Sequence, residues 1–210
     1  MVIIVFLLLF VVHFVAQQWE HNSDLNRYFK YPGDVANLIT GALFNSCLIF
    51  WTLYNIYTDE LLTIDQGTVS LQNTLLGYFV YDTLFMVLSP SRMYYIKFII
   101  HHLVSIFVIL IANAYNCGNN LANNSLIFLL EMSTPLINIS KIYNYIQPGK
   151  SKVRRLTKIV YFTSRVAMLP VWILVSPFTL YKLYLPECLI YTGIVLVYIA
   201  SYMWYKNMFN

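Results

Sequence analysis

The sequence carries very little charge and few cysteines. Asp, Glu, Lys and Arg make up 10% of its 210 residues, whereas a soluble domain carries about 25%. Hydrophobic residues make up 59%, and a soluble globule of this size could not hide so much apolar surface. Three cysteines without paired spacing exclude a disulfide scaffold and a multi-cysteine metal site. The composition argues against a soluble enzyme, a nucleic-acid-binding domain or a coiled coil, and indicates an integral membrane protein.

Long apolar runs predict an all-α, multi-pass transmembrane bundle of about seven spans, each near the roughly 20 residues that cross a bilayer. The runs lie at roughly 2–16, 35–57, 69–89, 94–114, 122–146, 156–181 and 187–205. Turn-forming residues separate them, at Pro32-Gly33, Ser89-Pro90, Gly118, Pro148-Gly149 and Pro186. Pro135 and Pro170 fall inside runs, which lipid-buried helices tolerate.

Basic residues concentrate on alternate connections. The odd-numbered connections and the C-terminal tail hold Arg27, Lys30, Arg92, Lys150, Lys152, Arg154, Arg155 and Lys206, whereas the even-numbered connections hold Lys182 alone. The positive-inside rule therefore predicts a cytosolic C-terminus and an N-terminus that is lumenal or outside. Aromatic residues near the span ends, such as Trp19 and Trp204, fit interfacial belts.

Ionisable residues interrupt the apolar runs, and each is a candidate site residue because charge inside hydrocarbon is costly. They are Asp82, His101, His102, Glu131, Lys141 and Arg165, with Asn138 as a polar companion. At about 1.5 Å per residue, most of them fall about 10–12 Å from the cytosolic ends of four consecutive spans, with Glu131 deeper. The spacing predicts one shared polar level inside the bundle.

Helical phase adds to this prediction, because Glu131, Thr134, Pro135 and Asn138 share one face. We expect a carboxylate–imidazole pair that fixes the histidine tautomer, with one histidine working and the other orienting it. The candidate catalytic residues are His101, His102 and Asp82, and the candidate substrate-binding residues are Glu131, Asn138 and Arg165.

Arg165 is expected to neutralise Glu131 or Asp82, and Lys141 to extend its amine toward the membrane surface. No metal is expected, since the spacing matches no zinc motif. The alternative interpretation is that these groups only hold the helices together.

Four segments, in this order, resemble the TLC-domain family, which includes ceramide synthases and small TLC-domain proteins. They are Gly77–Asp82, Phe98–Ser105, Leu130–Asn138 and Ser164–Pro170. The resemblance covers residues 30–208 and implies a TLC-like transmembrane domain there, preceded by an anchor helix and connecting loop at 1–29. It also implies residence in the endoplasmic reticulum.

The family resemblance implies that membrane lipids are the partners, with nucleic acid not expected and a homo- or hetero-oligomer possible through the helices. The implied function is handling or modifying sphingolipids or phospholipids, with acyl-CoA as substrate and no cofactor if the chain is an acyltransferase-like enzyme. The alternative is a non-catalytic lipid sensor, or an interaction or cargo scaffold.

Two departures bear on that choice. Related proteins have an Arg and a Ser-x-x-His where this chain reads Asn37–Ser46, so the role of that histidine is lost or passes to Asn45. Of the acidic signature of ceramide synthases, only Leu130-Glu131 remains, which argues against ceramide synthesis itself.

Overall fold

The computed structural model describes residues 2–23, 33–58, 66–88, 92–115, 120–147, 152–175 and 185–209, and they are almost entirely helical. Five helices are continuous: α1 (Val2–Asn22), α2 (Asp34–Thr58), α3 (Gln66–Leu88), α4 (Arg92–Tyr115) and α9 (Leu185–Phe209). The predicted all-α bundle is confirmed. Pro186 opens α9 as expected, whereas Pro32, Pro90, Gly118, Pro148 and the predicted stretch 176–181 lie outside the described residues.

The fifth and sixth predicted spans are interrupted, and each interruption involves a proline. α5 (Asn120–Glu131) and α6 (Thr134–Ile146) are separated by Met132 and Ser133. Pro135 lies in the first turn of α6, where its missing N–H is tolerated but cannot serve the preceding helix. The predicted fifth span is present as one membrane-length span, Ser125–Asn144, with a short break inside it, and Glu131 and Asn138 both line the same cavity.

The sixth span consists of α7 (Lys152–Tyr161), a π-helical segment (Phe162–Met168) and α8 (Leu169–Val175). The N–H of Leu169 donates to the carbonyl of Ser164, five residues back. Pro170 follows directly, and a proline ring crowds the carbonyl four residues before it. The wider π-helical turn accommodates that crowding, so the continuous α-helix that the sequence predicts is not formed.

Six helical spans of the described chain are long and apolar enough to cross a membrane. α3 is 23 residues long but is not among them, because it carries Gln72, Asn73 and Asp82. α3 packs against α1, α2 and α4, and most of its side chains from Leu71 to Tyr81 are buried. The polar residues of α3 therefore face protein. The six apolar spans show that the chain is an integral multi-pass membrane protein.

The N-terminal helix packs on the bundle. α1 contacts α2 and α3, and a Cβ on Gly77 of α3 would lie 2.9 Å from the backbone oxygen of Val2. Glu20 is 2% exposed and accepts hydrogen bonds from the backbone N–H groups of Gly33 at 3.2 Å and Ala36 at 3.1 Å. The last turn of α1 is thus bonded to the first turn of α2.

Candidate functional site

A polar cavity of about 80 Å³ lies inside the bundle, partly open to the surroundings. All six predicted site residues line it: Asp82, His101, His102, Glu131, Asn138 and Arg165. They come from α3, α4, α5, α6 and the π-helical segment, and α2 and α9 supply further lining residues. The structure therefore brings together the residues that the sequence placed at one depth, while their catalytic and binding roles stay predictions.

Asp82 is held by three neighbours from three helices. Asn37 of α2 donates from Nδ2 to Asp82 Oδ1 at 3.1 Å. Tyr78, one turn earlier on α3, donates its hydroxyl to Oδ2 at 3.4 Å. The same Oδ2 lies 3.6 Å from Nδ1 of His102. The expected carboxylate–imidazole pair is therefore Asp82 with His102, and the carboxylate faces the nitrogen whose proton defines the imidazole tautomer.

The two histidines lie side by side on an aromatic wall, each 7% exposed. Their ring centroids are 5.6 Å apart. Phe79 packs 4.8 Å from His102, and Trp204 packs edge-on against His101 at 5.2 Å. Trp204 is 9% exposed and lines the cavity from α9, while its place in an interfacial belt stays a prediction.

Arg165 is bonded to the broken fifth span. Its Nη2 donates to the carbonyl of Leu130 and, at 3.0 Å, to the hydroxyl of Thr134. Thr134 donates in turn to Glu131 Oε2 at 2.9 Å. The expected neutralisation of Glu131 therefore passes through Thr134 instead of a direct ion pair. The guanidinium also satisfies a carbonyl near the end of α5, where a helix leaves its last carbonyls without intrahelical partners.

Three cavity residues differ from the sequence predictions: Tyr78 and Asn37 were not predicted as site residues, and Lys141 was predicted with a different orientation. Lys141 does not extend to the surface, since its Nζ lies 4.7 Å from the Phe98 ring centroid and it lines the cavity. Tyr78 could have been found from its position four residues before Asp82 on one helix face. Asn37, at the start of the second span, gave only the weak signal of a polar residue near the right depth.

Two further placements affect how the site works. A Cβ on Gly41 would lie 2.7 Å from Asn138 Nδ2, so the glycine leaves room for the amide in the cavity. Asn45 is fully buried, donates to the carbonyl of Gly41 at 2.8 Å and is not a lining residue of the polar cavity. The possible role of Asn45 in place of the histidine of related proteins stays a prediction.

An apolar cavity of about 70 Å³ adjoins the polar one. Its wall comes from α3, α4, α5 and α9 and consists mainly of aliphatic side chains: Leu75, Val108, Ile109, Leu126, Ile127, Leu130, Ile194 and Val197. Phe79, His101 and Glu131 line both cavities. One imidazole and one carboxyl group therefore stand at the junction between a polar and an apolar compartment.

The sequence model of the TLC domain matches residues 34–210. Because the match covers most of the chain, this protein belongs to the TLC-domain family, and the resemblance seen in the sequence is confirmed. The match begins at α2, so α1 precedes it. Searches of curated proteins and of solved structures give no match to the chain.

Proposed function

We propose that this chain binds a membrane lipid with its polar end in the polar cavity and a hydrocarbon chain in the apolar cavity, and handles or modifies the lipid there. The observation that carries the proposal is the pair of adjoining cavities with His101 and Glu131 at their junction. A lipid has the same two parts, joined at an ester or amide carbonyl. Beyond that junction the wall of the apolar cavity is aliphatic except for Ser105, whose hydroxyl donates to the carbonyl of His101 on its own helix.

Acyl transfer is the reaction that the polar residues support best. Nδ1 of His102 lies 3.6 Å from Asp82 Oδ2, beyond hydrogen-bond distance, and the nearby negative charge favours a proton on that nitrogen, which leaves Nε2 as a base. That base takes a proton from the amine or hydroxyl acceptor while the nitrogen or oxygen of the acceptor attacks the thioester carbon of an acyl-CoA. The carbon–sulfur bond then breaks, and CoA leaves as a thiol after its sulfur takes that proton from Nε2. Asn138 is positioned among the lining groups as a donor for the developing oxyanion.

Non-catalytic lipid binding is the second candidate, and one observation favours it. The histidine that the resemblance implies for the second span is absent, and this chain has the neutral amide Asn45 there. A site with fewer proton-transfer groups is suited to holding a lipid without changing it.

The experiment uses purified protein in nanodiscs, with acyl-CoA and an amine or lysolipid acceptor. Release of free CoA reports transfer, and native mass spectrometry reports retained lipid. The His101→Ala, His102→Ala double variant is compared with His21→Ala, which alters an exposed histidine of α1. Loss of CoA release in the double variant alone supports transfer. Retained lipid without CoA release supports binding only. The absence of both retained lipid and CoA release would contradict the proposal.

The predicted topology and organelle accompany this proposal. A cytosolic C-terminus in the endoplasmic reticulum predicts that a C-terminal tag is stained after the plasma membrane alone is permeabilised. Staining that requires permeabilisation of internal membranes would contradict the orientation.

A further inference from the structure

We propose that Glu20 of α1 is a positioning residue for His102, acting through the first turn of α2, Asn37 and Asp82. The inference depends on the proposed function for the meaning of the His102–Asp82 pair, but its test does not require any activity. Glu20 lies before residue 34, where the match to the TLC domain begins. The Glu20 carboxylate therefore comes from a part of this chain that the family match does not include.

The first step is the bond between α1 and α2. The Glu20 carboxylate accepts from the N–H groups of Gly33 at 3.2 Å and Ala36 at 3.1 Å, one on each oxygen. The N–H groups at the start of a helix have no partner within it, so an outside acceptor fixes where the helix begins. A buried carboxylate is a strong acceptor at that end because it also meets the positive end of the helix dipole.

The second step leads from this turn to the site. The N–H of Asn37 donates to the carbonyl of Gly33 at 2.9 Å, so Glu20 and Asn37 bind opposite ends of the same residue. Gly33 has a φ of +88°, a conformation that glycine adopts without strain. The Asn37 side chain then donates to Asp82 Oδ1 at 3.1 Å.

The third step sets the histidine. With Oδ1 of Asp82 held by Asn37, Oδ2 is turned toward Nδ1 of His102 at 3.6 Å. Displacement of the first turn of α2 rotates this carboxylate and weakens its preference for a proton on Nδ1. Glu20 therefore influences the tautomer of an imidazole that it does not touch.

The experiment measures the His102 tautomer by 15N NMR of histidine-labelled protein in nanodiscs without substrate, with the signal assigned by its loss in His102→Gln. In the unmodified protein we expect the Nδ1–H form to predominate. Glu20→Gln, which has one acceptor oxygen and no charge, should lower the ratio of Nδ1–H to Nε2–H forms by up to about fivefold, the factor for the one hydrogen bond to α2 that the amide cannot replace. Asn37→Leu should lower it similarly, and the double variant no further than Asn37→Leu alone.

Controls separate positioning from general damage. Gln18→Ala, at an exposed neighbouring position of α1, should leave the ratio unchanged, and Glu20→Asp, which keeps the charge, should restore most of it. If Glu20→Gln does not fold, the same comparison is made with Glu20→Ala and its double variant with Asn37→Leu. A ratio unchanged by Glu20 variants while Asn37→Leu lowers it would overturn the proposal. So would an equal further loss in the double variant. Activity measurements on the histidine variants decide the proposed function separately.

Discussion

Replacing Arg165 by Met should destabilise the bundle, because the guanidinium joins the π-helical segment to the broken fifth span. The variant loses two hydrogen bonds, to the carbonyl of Leu130 and the hydroxyl of Thr134. In soluble proteins, bonds to a charged group contribute about 1.5–3 kcal/mol each. Side-chain hydrogen bonds inside membranes average about 0.6 kcal/mol and reach about 1.7, because the unfolded chain finds other partners there.

The membrane values apply here, so two bonds correspond to a loss of about 1–3 kcal/mol in the free energy of unfolding. For a chain of this length, each kcal/mol shifts the melting temperature by about 2–4 °C. A loss of about 2 kcal/mol therefore predicts a melting temperature lower by about 4–8 °C. Arg165→Lys keeps the charge and one donor group, and its melting temperature should lie between those of the unmodified protein and Arg165→Met.

The assay is a thermal melt of purified protein in detergent, followed by intrinsic fluorescence. Arg155→Met is the matched control, because Arg155 is exposed on α7 and should change stability by less than about 0.5 kcal/mol. Equal melting temperatures for Arg165→Met and Arg155→Met would refute the reasoning and mean that the bonds to Leu130 and Thr134 add nothing to stability.

Three further variants test the packing around the two cavities. Gly41→Ala should displace Asn138, whose Nδ2 lies 2.7 Å from the new Cβ, and lower lipid retention by native mass spectrometry while the melting temperature changes little, because a side-chain amide can move. Gly77→Ala should lower the melting temperature, because its Cβ meets the backbone oxygen of Val2 at 2.9 Å and overpacking costs about 1–3 kcal/mol; an unchanged melt contradicts the close approach. Val197→Phe narrows the apolar cavity and should shift the retained lipids toward shorter chains, and an unchanged chain-length profile would show that hydrocarbon does not occupy that space.

The spans and the residues of the polar cavity were predictable because both follow from regular helix geometry. A rise of about 1.5 Å per residue places Asp82 and the histidines at one depth, and a period of 3.6 residues places Glu131 and Asn138 on one face. The depth and the face of a residue are set within one helix and do not depend on how the helices pack.

The bonding partners were not predictable, because they depend on local departures from regular geometry. Arg165 lies in a π-helical segment, where the phase of the preceding helix no longer applies, and its acceptor Leu130 is available because α5 ends there. Pro135 and Pro170 signalled both interruptions, but a proline does not tell whether a helix bends, breaks or widens. Glu20 was overlooked because its partners are backbone amides, which have no sequence signature.

The direction in which Arg165 points depends on the number of residues in the π-helical segment. A π-helical turn holds about one residue more than an α-helical turn, and one residue corresponds to about 100° of rotation. Deleting a single residue between 162 and 168 would restore regular winding and leave α7 and α8 near their present relative rotation, because the shorter α-helical segment turns about as far as the longer π-helical one. The side chains inside the segment would rotate relative to both helices. Arg165 would then point in a different direction, so in this segment the number of residues matters as much as their chemistry.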